Sequence, residues 1–209
     1  MLPPSFFDRH HLDLARDLLG TTLVWDGVAG TIVETEAYGA EGDPACHTFF
    51  RKSARTFFDS HPPGTVYAYI NYGIHWLLNI LAADGIILIR ALEPTRGIAR
   101  MVRRRNKERL TDLCSGPGKL GAALALGRPD HGTSLAGHLP RRGLLPRPPD
   151  LPPPTVVADV RIGISKATDY PWRFLIEGNP HVSVPPRLGR RHPQKKSGTP
   201  RGRSRQGTA

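Results

Sequence analysis

Cysteine is scarce in this chain: two residues, Cys46 and Cys114, among 209, with no spacing that pairs them. A disulfide framework or a cysteine-based zinc site is therefore not expected, and the two read as reduced thiols of a cytosolic protein. No stretch approaches the roughly 18 consecutive apolar residues of a membrane helix. The opening MLPPSFFDRHH has no basic segment leading into an apolar one. No signal peptide is expected, and the protein reads as soluble and intracellular, in cytoplasm or nucleoid. There is no internal repeat and no HExxH or comparable ligand spacing. Glu34, Glu36, His47 and His75 thus do not read as a metal site, and no metal is expected. Acidic residues are missing from residues 185–209, which hold Arg187, Arg190, Arg191, Lys195, Lys196, Arg201, Arg203 and Arg205. Those eight charges supply most of the formal +11 and leave the first 184 residues at +3. Net charge says little about the body, whereas the tail is compatible with nucleic acid.

What is present fits one domain with a real core. Apolar residues at 12, 14, 15, 18 and 19 have helical spacing, with Asp8 as a candidate cap and Gly20 as the stop. Residues 21–25 and 31–38 read as a hairpin around 26–30. Residues 51–63 read as polar and irregular, with Pro62-Pro63 excluding helix. Strands are expected at about 65–71, 74–81 and 86–92, the last two joined by the turn signal Asp84-Gly85. Residues 95–105 read as a helix ending in Arg103-Arg104-Arg105. That cluster reads as a solvated face favourable to the helix dipole, with a phosphate contact as the alternative. Residues 117–126 form a second helix with Pro117 in its first turn. Residues 127–154 are a Pro/Gly/Arg-rich loop with strand fragments, and 156–164 and 173–176 are late strands. Residues 185–209 are a basic Pro/Gly/Arg-rich tail whose composition predicts disorder.

Two stretches carry chemistry. In TIVETEAYGAEGDPACH, residues 31–47, alternation puts Ile32, Glu34, Glu36 and Tyr38 on one strand face. Two glutamates and a tyrosine suit a cleft better than a core. A carboxylate at the mouth of a cleft can orient and deprotonate a water, and Tyr38 and His47 offer flat rings to a planar ligand. In GTVYAYINYGIHWLLN, residues 64–79, Tyr67, Tyr69 and Asn71 share a face, and Tyr72-Gly73 reads as a tight turn. An aromatic at a hairpin tip has no core to fill. It suggests a wedge, as used by proteins that extract a base from duplex DNA. Arg90 lies on a buried strand and needs a carboxylate partner. Glu34 reads as the partner of a buried arginine. Residues 115–119, SGPGK, resemble a phosphate loop only faintly, because Leu113 and Leu120 stand where a Walker motif needs Gly and Ser or Thr. Lys119 at a helix N-terminus suits a DNA phosphate better.

IVETEAY at 32–38, His47, GTVYAYINYG at 64–73, Asn79, IRALEP at 89–94, LCSGPGKL at 113–120 and RIGI at 161–164 together resemble the alkyladenine (3-methyladenine) DNA glycosylases of the mammalian type. The resemblance covers roughly residues 12 to 184, in the family's order. It departs at His75-Trp76, where the family more often has another aromatic, and at residues 51–60, and it leaves out the tail. It implies that Glu36 activates the attacking water with help from Arg90 and the backbone carbonyl of Ile162. It implies a base-stacking pocket of Tyr38, His47 and Tyr69, with Asn79 crowding the exocyclic amine of guanine. Base–aromatic stacking supplies about 1–3 kcal/mol per base. Tyr72 matches the intercalating residue.

The expectation is a monofunctional glycosylase that needs no cofactor. It acts as a monomer on double-stranded DNA and releases a damaged purine: 3-methyladenine, 7-methylguanine, hypoxanthine or ethenoadenine. The expected fold is α+β: residues 1–184 as a single mixed domain around a curved antiparallel β-sheet, with a protruding β-hairpin and helices packed around it. The alternatives are a non-catalytic binder of damaged DNA, a nucleoside hydrolase using Glu36, and a lyase using Lys119 as Schiff-base nucleophile.

Overall fold

Apolar residues from Val28 to Ala37 interrupted by Glu34 and Glu36 build the organising strand of the molecule. In this computed structural model, which describes residues 1–137 and 141–187, it is β2 (Val28–Gly39). Short helices α1 (Pro4–Phe7) and α2 (His11–Asp17) precede β1 (Thr22–Trp25). After β2 come α3 (His47–Phe50), α4 (Lys52–Ser60), β3 (Val66–Asn71), β4 (His75–Leu81) and β5 (Gly85–Arg96). Then follow α5 (Ile98–Arg105), α6 (Pro117–Leu124), β6 (Arg142–Leu145), β7 (Val156–Asp159) and β8 (Arg173–Ile176). The eight strands form one antiparallel sheet of order β3-β4-β5-β2-β1-β6, with β8 also paired to β2 and β7 to β8. One edge of β2 is covered by β5, the other by β1 at its start and by β8 at residues 34–36. The α+β fold with helices around a curled antiparallel sheet is thus the one expected. Among the described residues no helix is long and apolar enough to cross a membrane.

The main core lies between the sheet and helices α2, α5 and α6, and takes in Leu14, Leu18, Ile32, Ile87, Ile89, Met101, Leu120 and Phe174. Helix α6 approaches β4 so closely that a Cβ on Gly121 would sit 2.0 Å from the Trp76 carbonyl oxygen, so only glycine fits there. A smaller cluster of Cys46, Ala54, Tyr67, Leu81 and Ile86 occupies the other face, under α3 and α4. The free thiols of Cys46 and Cys114 are buried, and burial raises the pKa of both, that of Cys114 to about 12.

Several local expectations are corrected. Residues 52–60 are helical, because Pro62 constrains only the residue before it, and His61 already lies beyond the helix end. Ala54, Phe57 and Phe58, three and four apart, give α4 its packed side. Strand β5 runs on to Arg96, and α5 starts only after Gly97, at φ +72°. The cap of α2 is His10, not Asp8: its ring accepts the Leu12 N–H. The first hairpin turns on Asp26-Gly27 alone, with φ of 44° and 85°. The strand expected over 156–164 stops at Asp159. Ile32 does not share a face with Glu34. The register shifts between them, so Ile32 joins the core with Ala37 while Glu34 and Glu36 turn to the polar side. A second shift opposite leaves Arg90 outside the Cα pairing that links Thr35 to Ile89 and Glu34 to Ala91. The basic tail lies, from residue 188, outside the described residues.

Candidate active site

On the face of β2–β5 turned away from the main core, a cavity of about 620 Å³ is lined by Tyr38, His47, Tyr69, Asn79, Arg90, Ile162 and Tyr72, among others. Seven of the residues singled out in the sequence therefore meet in one place. Glu36 lies just behind this lining, fully buried, and all three of its partners line the cavity. Oε1 faces Arg90 Nη1 at 3.1 Å and accepts the Ile162 N–H at 2.7 Å; Oε2 accepts the Tyr38 hydroxyl at 2.7 Å. The Ile162 segment, whose carbonyl is expected to hold the water, thus also touches Glu36 through its N–H.

Their partners separate the two glutamates. Glu34 Oε1 takes Arg90 Nε (3.0 Å), Arg173 Nη1 (2.9 Å) and Ser183 Oγ (2.8 Å), and Oε2 takes the Ser183 N–H (2.5 Å); of these donors only Arg90 lines the cavity. Glu36 is bound by the Tyr38 hydroxyl and the Ile162 N–H and paired with Arg90, and all three of these partners line the cavity. Burial works against the Arg90 charge, but Glu36 and Glu34 outweigh it and hold the guanidinium above its usual pKa. Burial first, and then Glu36, push the Tyr38 phenol well above its ordinary value, so it remains a donor.

The aromatic walls have their own supports. His47 opens α3, its ring 4.4 Å from that of Tyr69, and its Nδ1 is 2.9 Å from the Tyr67 hydroxyl. Burial, and then Arg51, lower its pKa to about 4, so the ring is neutral near pH 7. Burial raises Tyr67 and Tyr69 to about 12. Asn79 spends its amide nitrogen on the Tyr67 carbonyl at 3.0 Å. The guanidinium of Arg161 lies 4.6 Å from the Tyr38 ring centroid and pairs with Asp43 through both its terminal nitrogens. Asp43 also accepts the Gly39 and Ala45 N–H groups, fixing the loop that delivers His47.

The β3–β4 hairpin carries Tyr72 at its tip, 84% exposed, with Ile70 and Ile74 also exposed beside it. Both central turn residues, Tyr72 and Gly73, have positive φ, 50° and 71°, and the Ile74 N–H closes the turn on the Asn71 carbonyl. Lys119 is exposed near the N-terminus of α6, its Nζ 3.2 Å from Ser115 Oγ; it does not line the cavity, whereas Lys166 does. Arg104 and Arg105 donate to the carbonyls of Ala123 and Leu113, so two of the three clustered arginines tie α5 to its neighbours. Among the described residues, the group close enough to hold an ion is His10, His11 and Asp84. His10 Nδ1 already accepts the Leu12 N–H, which leaves the proton on Nε2 facing Asp84, so this trio clamps the start of α2. Sequence reasoning missed Arg161–Asp43, Arg173–Asp159, Ser183 and Phe50. Arginines inside the apolar runs at 161 and 173 were the available signal for buried pairs.

A family model described as methylpurine-DNA glycosylase matches residues 5–180. A Rhodopseudomonas palustris (strain HaA2) protein is 44% identical over 193 residues, covering 86% of this chain and 89% of the relative. One from strain BisB18 is 45% identical over 188 residues, with 88% and 91% covered. One from Rhizobium meliloti (strain 1021) is 44% identical over 180 residues, with 86% and 94% covered. All three carry the provisional name 3-methyladenine DNA glycosylase. With likeness of this degree running through nearly the whole length on both sides, the chain belongs to the methylpurine-DNA glycosylase family.

Proposed function

We propose that the protein is a monofunctional DNA glycosylase. It flips a damaged purine out of duplex DNA and releases it by water attack at C1′ of the deoxyribose. The observation that carries this reading is Glu36, a buried carboxylate whose partners Tyr38, Arg90 and Ile162 all line an aromatic cavity, whereas Glu34 behind it is held by Arg173 and Ser183. A water donating to Glu36 is held for attack and can pass its proton to the carboxylate. Arg90 and the Ile162 segment fix the carboxylate; the carbonyl of Ile162 is assigned as a further ligand of the water. Tyr38, His47 and Tyr69 stack the base, and a neutral His47 adds no charge that would repel an alkylated, cationic purine. Such a base is already a good leaving group, whereas hypoxanthine or ethenoadenine needs protonation. Asn79 crowds the exocyclic amine of guanine. Tyr72 fills the gap in the duplex, offsetting an unstacking cost of a few kcal/mol. Lys119 meets a phosphate. The substrate range proposed is 3-methyladenine, 7-methylguanine, hypoxanthine and ethenoadenine, with 3-methyladenine supported by the names of the relatives.

The test is single-turnover release from methylated DNA and from duplexes carrying hypoxanthine or ethenoadenine, for wild type and Glu36→Gln. Wild type is expected to release base, and the variant to be slower by at least about 100-fold while still binding the lesion. Lesion binding with no release by wild type would instead leave a non-catalytic binder of damaged DNA.

A further inference from the structure

Behind Glu36 and Arg90 the fold continues into a buried run of charge that does not line the cavity. Arg90 presents three nitrogens to three partners: Nη1 to Glu36 (3.1 Å), Nε to Glu34 (3.0 Å) and Nη2 to Ser183 Oγ (3.2 Å). Glu34 and Ser183 therefore set the plane of the guanidinium, and with it the direction in which Nη1 meets Glu36. The Ser183 hydroxyl is central, because it donates to Glu34 Oε1 (2.8 Å) while accepting from Arg90. Arg173, fully buried in β8, stands one layer further back. Its Nη1 holds Glu34 at 2.9 Å and the Val184 carbonyl at 2.9 Å; its Nε holds the Val160 carbonyl at 3.0 Å, and Nη2 pairs with Asp159. Val160 lies two residues before Ile162, whose N–H binds the same Oε1 of Glu36 that faces Arg90. Both groups that fix Oε1 are thus anchored on one arginine: the first through Glu34, the second through the backbone that follows β7.

We propose that Arg173 and Ser183 are positioning residues for the glycosylase reaction, holding Arg90 and the Ile162 segment so that Glu36 is oriented toward the attacking water. This rests on the reading of Glu36 as the base. Neither residue touches the substrate, so loss of either alters the rate of bond breaking and not the capture of the lesion. Lysine at 173 keeps the charge but, with a single nitrogen, cannot hold Glu34 and the Val160 carbonyl from two sides at once. Alanine at 183 removes the hydroxyl and leaves the backbone N–H that serves Glu34.

The experiment compares wild type, Arg173→Lys, Ser183→Ala, Ser183→Thr and Glu36→Gln on one lesion duplex, reading single-turnover rate, dissociation constant and melting temperature. Arg173→Lys and Ser183→Ala are expected to excise about 10- to 100-fold more slowly. Binding stays within about threefold of wild type, and the rate returns to within about threefold in Ser183→Thr, which restores the hydroxyl. Should Arg173→Lys fail to fold, the two serine variants decide alone. Unchanged rates, or losses of rate that track losses of binding or melting temperature without rescue by threonine, would overturn the proposal. An active wild type with an inactive Glu36→Gln keeps the proposed function standing in either case; an inactive wild type removes both.

Discussion

The ring of His47 illustrates how burial decides what a side chain can do. Held at a pKa of about 4, it stays uncharged through neutral pH, and desolvation is the main cause. In the unfolded chain the same ring titrates near 6.5, so as the pH falls the unfolded state takes up a proton before the folded state does. The stability His47 allows is therefore complete above about 6.5 and declines as the pH falls toward 4. We expect the urea midpoint of the wild type to fall more between pH 7 and pH 4.5 than that of His47→Gln; parallel curves would refute the assignment. Residue types were legible in the sequence to different depths. Glu36, Tyr38 and Tyr69 announced themselves by alternation, and Glu34, expected to partner a buried arginine, partners two. Ser183 was not legible, because a lone serine far along the chain carries no sign that it lies 2.8 Å from a buried carboxylate. Asp43 was hidden in the same way: in sequence it is one polar residue of a Gly/Pro loop, and only folding brings Arg161 onto it.

At the scale of elements, the β3–β4 hairpin carries a visible conflict. Tyr72 adopts φ +50°, a region that costs an ordinary L-residue on the order of 1 kcal/mol and that glycine enters freely. Nothing in the turn requires a tyrosine, so the strain is repaid only if the ring has work to do outside the molecule. Replacing Tyr72 by glycine should leave the melting temperature unchanged or raise it, yet slow excision from duplex DNA. A variant that is both less stable and fully active would overturn this view of the tip. The hairpin itself was readable, since Tyr-Gly between two alternating runs is a strong turn signal. Helix α4 was not: its polar surface and nearby prolines masked the triplet Ala54, Phe57 and Phe58, whose packing against Tyr67 and Cys46 is a tertiary fact. The shifts of register in β2 and β5 were likewise invisible, because alternation assumes an unbroken period of two and a bulge changes the parity without altering the composition.

For the whole molecule, charge is unevenly placed: residues 188–209 contribute Arg190, Arg191, Lys195, Lys196, Arg201, Arg203 and Arg205 without one acid. We expect this tail to add sequence-independent affinity for DNA. Its deletion should flatten the plot of log affinity against log salt by about 0.9 for each phosphate it neutralises, without changing the single-turnover rate at saturation. An unchanged slope would count against the tail as a DNA-binding segment. The α+β architecture was legible because strand signals dominate the middle of the chain and helical ones flank them. The joining of β8 to β2 was not, since it links residues some 140 positions apart.

Strand β2 is hydrogen-bonded along both edges, to β5 on one side and to β1 and β8 on the other, and Glu36 sits where β5 and β8 both grip it. Amides in such a place open to solvent only when the whole domain comes apart, whereas a turn at the end of a two-stranded ribbon opens through local fraying. The protein is thus expected to be most rigid around Glu36, the proposed catalytic carboxylate, and most yielding at Tyr72, the proposed wedge. Under rising temperature the proposed wedge should loosen first, while the proposed catalytic geometry should persist until the fold itself is lost.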